Sequence, residues 1–196
     1  MVSGIARDSW RDLKDRFQVA DTSLSADDIR ALYYMTPERP VYNPARLMEI
    51  EARIHQASSE GNFVYALELS DSLLNVYPVS LVALFEKAYS AARLGRSAEE
   101  RIAAIQYKAL LRSLTGERNG KTFASAIPVI NQNDEYEIAR FLSFLPVGAS
   151  IQPYNGKVYN IWALKKNKEK QKELYFDISV PAKLIERNQV ELLREK

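Results

Sequence analysis

N-P-A-R-L-M-E-I-E-A-R-I-H-Q-A-S-S-E-G-N, residues 43–62, decides the fold, because the chain repeats its plan 34 residues later in Y-P-V-S-L-V-A-L-F-E-K-A-Y-S-A-A-R-L-G-R, residues 77–96. With that offset Gly61 meets Gly95, Leu47 meets Leu81, Ile50 meets Leu84, Ile54 meets Ala88 and Ala57 meets Ala91. Apolar residues three and four apart make one face of a helix, and a glycine just beyond them ends it. The period is that of tetratricopeptide-type helical pairs, so residues 44–114 read as two stacked pairs. Two pairs are fewer than a free-standing array needs, so other elements must cap the stack.

Working outward, the punctuation stays regular. Asn43-Pro44 starts the first helix, Asn62 caps the second and Pro78 ends it. Ser80 opens the third, and Ser97 with Glu100 makes a capping box for the fourth, which should fade near Leu114. Upstream, Trp10, Leu13 and Phe17 stand at helical spacing, and Ser25 with Asp28 starts a helix running to about Met35. Pro37, Pro40 and Pro44 then force an extended connection.

After Gly120 the pattern changes. T-F-A-S-A-I-P-V-I, Y-E-I-A-R-F-L-S-F-L, K-V-Y-N-I-W-A-L and K-E-L-Y-F-D-I are rich in aromatic and β-branched residues and read as strands. Asn155-Gly156 is the strongest hairpin signal, since a type I′ turn needs positive φ at both positions. Lys165 to Lys172 reads as a polar hairpin loop, and a helix should run from about Pro181 to Leu193. The expectation is an α+β protein: tetratricopeptide-like helical hairpins over residues 1–120, and a small antiparallel β-meander with a C-terminal helix over 121–196. The two would form one compact unit.

Composition narrows the function. In 196 residues, 46% are hydrophobic and 27% charged, an ordinary globular balance. Lys+Arg 27 against Asp+Glu 25 gives no excess for a phosphate backbone, so nucleic acid is not the expected partner. The chain has no cysteine, which removes thiolate catalysis, thiolate metal sites and disulfides. Its single histidine, His55, removes any metal site or proton relay needing two. No signal peptide is visible at the start. Ile138 to Ile151, interrupted by Arg140, Pro146 and Gly148, reads as a core segment rather than a membrane span.

Four stretches carry a resemblance: D-T-S-L-S-A-D-D-I-R-A-L-Y-Y (Asp21 to Tyr34), Y-N-P (Tyr42 to Pro44), N-D-E-Y-E-I-A-R (Asn133 to Arg140) and E-L-Y-F-D-I (Glu173 to Ile178). In these the chain resembles domain-of-unknown-function family 4919, found mainly in Bacteroidetes. It departs from its relatives at Met35, where they tend to have Gly, and at Ala45, where they tend to have an aromatic. Relatives look exported, which implies a periplasmic or surface location. The resemblance implies no activity, cofactor or catalytic residue.

Candidate sites follow from residue chemistry. Tyr33, Tyr34 and Tyr42 flank the proline-rich connection and offer flat rings with polar tips, suited to peptides or sugars. The alternative is that they dock the connection onto the repeats. Arg101, Lys108 and Arg112 fall on one face of the last repeat helix and would receive an acidic partner, or form an ordinary solvated face. His55 lies one residue off its helix's apolar stripe, a boundary position. Asp134, Glu135 and Glu137 cluster where a strand is expected to begin, with Glu135 and Glu137 on a solvated face. A glycosidase needs two carboxyls at a set separation, which keeps a carboxylate enzyme in view. Trp162 alternates into the core. T-G-E-R-N-G-K-T (Thr115 to Thr122) misses the phosphate-loop motif by one position and leaves a helix instead of entering one. The expected function is non-enzymatic binding of a protein or peptide in the bacterial envelope, with no cofactor or metal. The alternatives are an oligosaccharide-binding protein or a carboxylate-dependent hydrolase.

Overall fold

The computed structural model describes residues 5–185, with side chains from Trp10 onward. Its contacts divide the chain into two compact units, one of residues up to Tyr42 with Arg46–Ser113, the other of Asn43–Ala45 with residues from Leu114. Helices and a four-stranded mixed sheet make this an α+β fold.

The helical unit contains α1 (Ile5–Gln18), α2 (Ala26–Met35), α3 (Pro44–Ser59), α4 (Phe63–Val76), α5 (Leu81–Arg93) and α6 (Ser97–Thr115). Their ends are set by local chemistry. The Ser25 hydroxyl accepts from the Asp28 N–H while the Asp28 carboxylate accepts from the Ser25 N–H, a complete capping box. Asn62 accepts from the Tyr65 N–H, and Ser80 from the Ala83 N–H. Ser80 also donates to Glu51 of α3 at 2.6 Å, so one hydroxyl caps α5 and satisfies a buried carboxylate. Gly61 and Gly95 sit at φ +80° and +72°, the left-handed conformation that lets each helix stop. The residues matched by the 34-residue offset pack inward: Leu47 with Leu81, and Ala57 with Ala91, are buried. Ala66, Ser70 and Leu73 of α4 are buried as its packing face.

The second unit holds β1 (Ile127–Pro128), α7 (Asn133–Phe141), β2 (Pro146–Tyr154), β3 (Lys157–Leu164), β4 (Glu173–Asp177) and helical residues 179–185. The helix expected from about Pro181 is helical over its described residues, and the rest of that expectation, to Leu193, lies outside the described residues. The sheet order is β1-β4-β3-β2. Strands β2, β3 and β4 form the antiparallel meander, while β1 pairs parallel with β4, so the sheet is mixed rather than wholly antiparallel. Asn155 (φ +49°) and Gly156 (φ +73°) close the β2–β3 hairpin as the turn chemistry requires. Residues 165–172 link β3 to β4.

Three strand readings need correction. T-F-A-S-A-I-P-V-I is mostly a 3₁₀ turn, Phe123–Ser125, followed by the two-residue β1. Y-E-I-A-R-F belongs to helix α7, whose buried stripe is Asp134, Glu135, Ile138 and Ala139. That spacing is helical, and two of its four members are acidic, which disguised it. The strand that leads into the Asn155-Gly156 hairpin is not Y-E-I-A-R-F-L-S-F-L but β2, every residue of which is exposed, so it shows no alternation. The segment from Ile138 to Ile151 is accordingly core only in part, with Ile138, Ala139 and Phe144 buried and Val147 and Ile151 in solvent.

Strand β3 is covered on both faces. Tyr159 and Ile161 cluster with Ala126, Phe123 and Tyr175. On the opposite face Asn160 and Trp162 look toward α7: Asn160 bonds Glu135, and the Trp162 ring lies edge-on to Tyr136 and Phe176. Among the described residues no helix is long and apolar enough to cross a membrane.

Candidate functional site

A groove of about 520 Å³ opens on the helical unit, lined by the end of α3, the start of α4 and one face of α5. The repeat explains its composition. His55 and Tyr89 occupy equivalent positions in α3 and α5, as do Ser59 and Arg93, so both helices present the same face to it. Phe63, at the first position of α4, and Phe85 complete the wall.

The rings form a continuous cluster. Tyr89 stacks parallel to Phe85 at 6.4 Å and meets Phe63 edge-on at 5.9 Å. Phe85 also touches Tyr107 of α6 at 5.7 Å. The Arg93 guanidinium lies 4.9 Å above Phe63 and 6.0 Å from Tyr89, a cation–π arrangement worth about 0.5–1 kcal/mol at an exposed site. Tyr89 remains 41% exposed. At the other end, His55 Nδ1 lies 2.7 Å from Glu86 Oε1. The carboxylate accepts from the ring Nδ1–H, which holds the imidazole against α5. Glu86 is buried while the His55 side chain is 72% exposed, so one pole of the pair is held by the protein and the other is offered to solvent. The groove thus combines an apolar aromatic floor, a positive guanidinium and an oriented imidazole. In the same groove the Ser59 hydroxyl donates to the Gln56 carbonyl.

The sequence candidates fall elsewhere. Tyr33 is 0% exposed and Tyr42 is buried beside Tyr77, their rings edge-on at 5.5 Å. The Tyr77 hydroxyl donates to the Val41 carbonyl, anchoring the proline-rich connection. Only Tyr34 keeps a half-exposed ring, edge-on to Tyr33 at 5.2 Å. These tyrosines therefore dock the connection, and the surface expected of Tyr33 and Tyr42 is not there. The reason is the helical register: Ile29, Leu32 and Tyr33 form the inward face of α2. Arg101, Lys108 and Arg112 are exposed on α6, as the helical spacing requires, and line no part of the groove. His55 is the boundary residue expected, but its tie to Glu86 spans 31 residues and left no mark in the local sequence. Gly120, in the loop that mimics a phosphate motif, accepts from the Tyr175 N–H at 2.8 Å and is a structural turn.

The acidic cluster is rearranged most. Asp134 and Glu135 are buried, while Glu137 pairs with Arg140 on the outer side of α7. Glu135 is 0% exposed and accepts from Asn160 Nδ2 at 2.6 Å. Burial away from water pushes its carboxyl up from 4.5 to about 7, against the smaller opposing pull of the Asn160 amide and the Trp162 indole N–H. The solvated face expected of Glu135 is contradicted by that position in α7. Among the described residues no group of three His, Asp or Glu side chains is placed to hold a metal ion.

The family model for a domain of unknown function, DUF4919, matches residues 7–187, and the chain belongs to that family. Neither the curated proteins nor the solved structures contain a significant match to it.

Proposed function

We propose that this protein is a non-enzymatic binding module that holds a peptide segment of a partner protein in the groove of its helical unit. The observation that carries this reading is the Arg93–Phe63–Tyr89 cluster, an exposed guanidinium laid across two rings in a concave wall. Aromatic residues and arginine are the side chains that dominate binding energy at protein interfaces. Among the described residues Arg93 has no acidic partner, so the segment that fits best places a carboxylate on Arg93 and an apolar side chain against the rings. The 34-residue offset supports a tetratricopeptide-like arrangement, in which the inner helices carry such a groove. The likeness to exported relatives supports a setting in the bacterial envelope.

The test is selection of peptides from a displayed random library against the whole protein. Enriched sequences should share an acidic residue next to an apolar one. Their binding should fall by about tenfold or more in Arg93→Ala and in Tyr89→Ala, both at exposed positions, or about 1.4 kcal/mol each. Absence of enrichment, or binding by the two variants undiminished from the parent's, would remove the proposal.

A further inference from the structure

The helical unit has a second groove, about 420 Å³, between α3 and α4. Arg46, Ile50 and Arg53 of α3 form one wall, and Leu69, Leu73 and Val76 of α4 the other. Each set is spaced i, i+4, i+7, so each is a single helix face. The walls are open to water: Ile50 and Leu69 are half-buried, and Val76 is exposed. Among the described residues no Asp or Glu lines the groove.

The 34-residue offset shows what such a face does elsewhere in the fold. It carries Ile50 to Leu84 and Arg53 to Lys87 on α5, and Leu69 to Ala103, Ser72 to Gln106 and Val76 to Leu110 on α6. In that second copy the face is closed, with Leu84, Ala103, Gln106 and Leu110 all buried. Helix α4 and the end of α1 lie across it. Lys87 pairs with Asp71 of α4 at 2.5 Å, and Leu74 of α4 lines the same seam as Leu84. Gln106 donates to the carbonyls of Phe17 and Gln18. In the first copy the equivalent face stays open, and its cation lacks the acid that Lys87 has. Among the described residues Arg53 has no acidic partner, and its guanidinium donates to the exposed Tyr65 hydroxyl at 2.9 Å.

The occupant is defined by what covers the closed copy. There α4 supplies an aspartate to the cation and a leucine one turn further on, so the open groove calls for a helix with that pairing. Arg46 lies two turns from Arg53 on the same wall and favours a helix that carries further acids. A second copy of this chain using the same face would set Arg46 and Arg53 against their like, with no acid in either lining.

We infer that the α3–α4 groove docks an acidic amphipathic helix of a partner protein, seated as α4 is seated on α5 and α6, with Arg53 taking its carboxylate. The groove shares no residue with the aromatic groove, and the inference does not rest on the peptide reading.

The probe is a fluorescein-labelled peptide of residues 62–78, the α4 sequence itself, which holds Glu68 and Asp71 and no Lys or Arg. Its anisotropy is followed on titration with the whole protein. A saturable rise is expected in the micromolar range. Arg53→Glu, at an exposed position, should weaken binding by about tenfold or more. The Asp71→Lys peptide should bind the parent protein as poorly and regain affinity on Arg53→Glu. Lys168→Glu, the same charge change at an exposed position of the β3–β4 link, should leave binding as in the parent. Absence of a saturable rise, binding undiminished in Arg53→Glu, an equal loss in Lys168→Glu, or no rescue by the swapped pair overturns the assignment.

Discussion

Replacing Glu135 with glutamine should remove a pH dependence of stability that the parent protein carries. The carboxyl is fully buried, and its pKa is raised from 4.5 to about 7 by loss of water. In the unfolded chain it reverts to the ordinary value. Below 4.5 the proton is bound in both states and the side chain's full contribution is present. Between 4.5 and about 7 the unfolded state gives up its proton while the folded state keeps it, so stability falls as pH rises. Above about 7 both states are ionised and the loss is complete. At about 1.4 kcal/mol per pKa unit, the rise corresponds to about 3 kcal/mol. Glutamine carries no titrating proton and retains an oxygen for the Asn160 amide, so its profile should stay flat where the parent's declines. The assay is urea denaturation followed by Trp162 emission in the Trp10→Phe background, over a pH series spanning that window. The stability difference between variant and parent should grow in the variant's favour by about 3 kcal/mol from the acid to the alkaline end. Parallel profiles would refute the reasoning, since they would mean that the carboxyl is hydrated or ionised throughout.

Ser80→Ala should cost about 2–3 kcal/mol in denaturant melts, combining a lost helix cap with a donor withdrawn from buried Glu51; a cost below about 0.5 kcal/mol would count against that dual role. Gly120→Ala should destabilise more than Gly61→Ala. Both residues have positive φ, but a Cβ at Gly120 would stand 2.5 Å from Leu174 Cδ1, while at Gly61 it meets nothing within 4 Å. The second change should therefore cost only backbone strain, about 1–2 kcal/mol, and equal losses in thermal melts would contradict the packing. Asp21, held by the Arg16 guanidinium and by Ser23, should titrate at about 2 in carbon-detected NMR and move toward the ordinary aspartate range in Arg16→Gln.

How much was legible in the sequence depended on whether the cause was local. Ser25 with Asp28, Asn62, Ser80, Gly61, Gly95 and the Asn155-Gly156 turn act on backbone within three or four residues, and each was readable. Helix α7 was misread because pattern analysis treats acidic residues as outward-facing, and Asp134 and Glu135 face inward. Strand β2 left no pattern because none of its residues is buried. The groove was half visible: the repeat offset pairs His55 with Tyr89 and Ser59 with Arg93, but the His55–Glu86 contact and the ring stacking depend on how α3, α4 and α5 meet. Burial of Tyr33 and Tyr42 was beyond reach for the same reason, since adjacent tyrosines in a helix are distinguished only by what packs against it.

Strand β2 has a consequence for the protein in concentrated solution. It lies at the open side of the sheet, nine residues long, with Val147 and Ile151 in water. Such an edge is a template on which another extended chain can add, and repeated addition is how fibrils grow. Pro153 interrupts it at a telling place. Its ladder partner Val158 donates its N–H to Ser179 Oγ and accepts at its carbonyl from the Ile178 N–H, both away from β2. Position 153 therefore points its backbone nitrogen outward, where proline costs the sheet no bond and denies an incoming strand a donor. With Pro146 at the other end, the residues between them are left as a short window, too poor in donors at its margins to propagate well. Proline here acts as a colloidal safeguard, and Pro153→Thr should leave the fold intact while shortening the lag before aggregation.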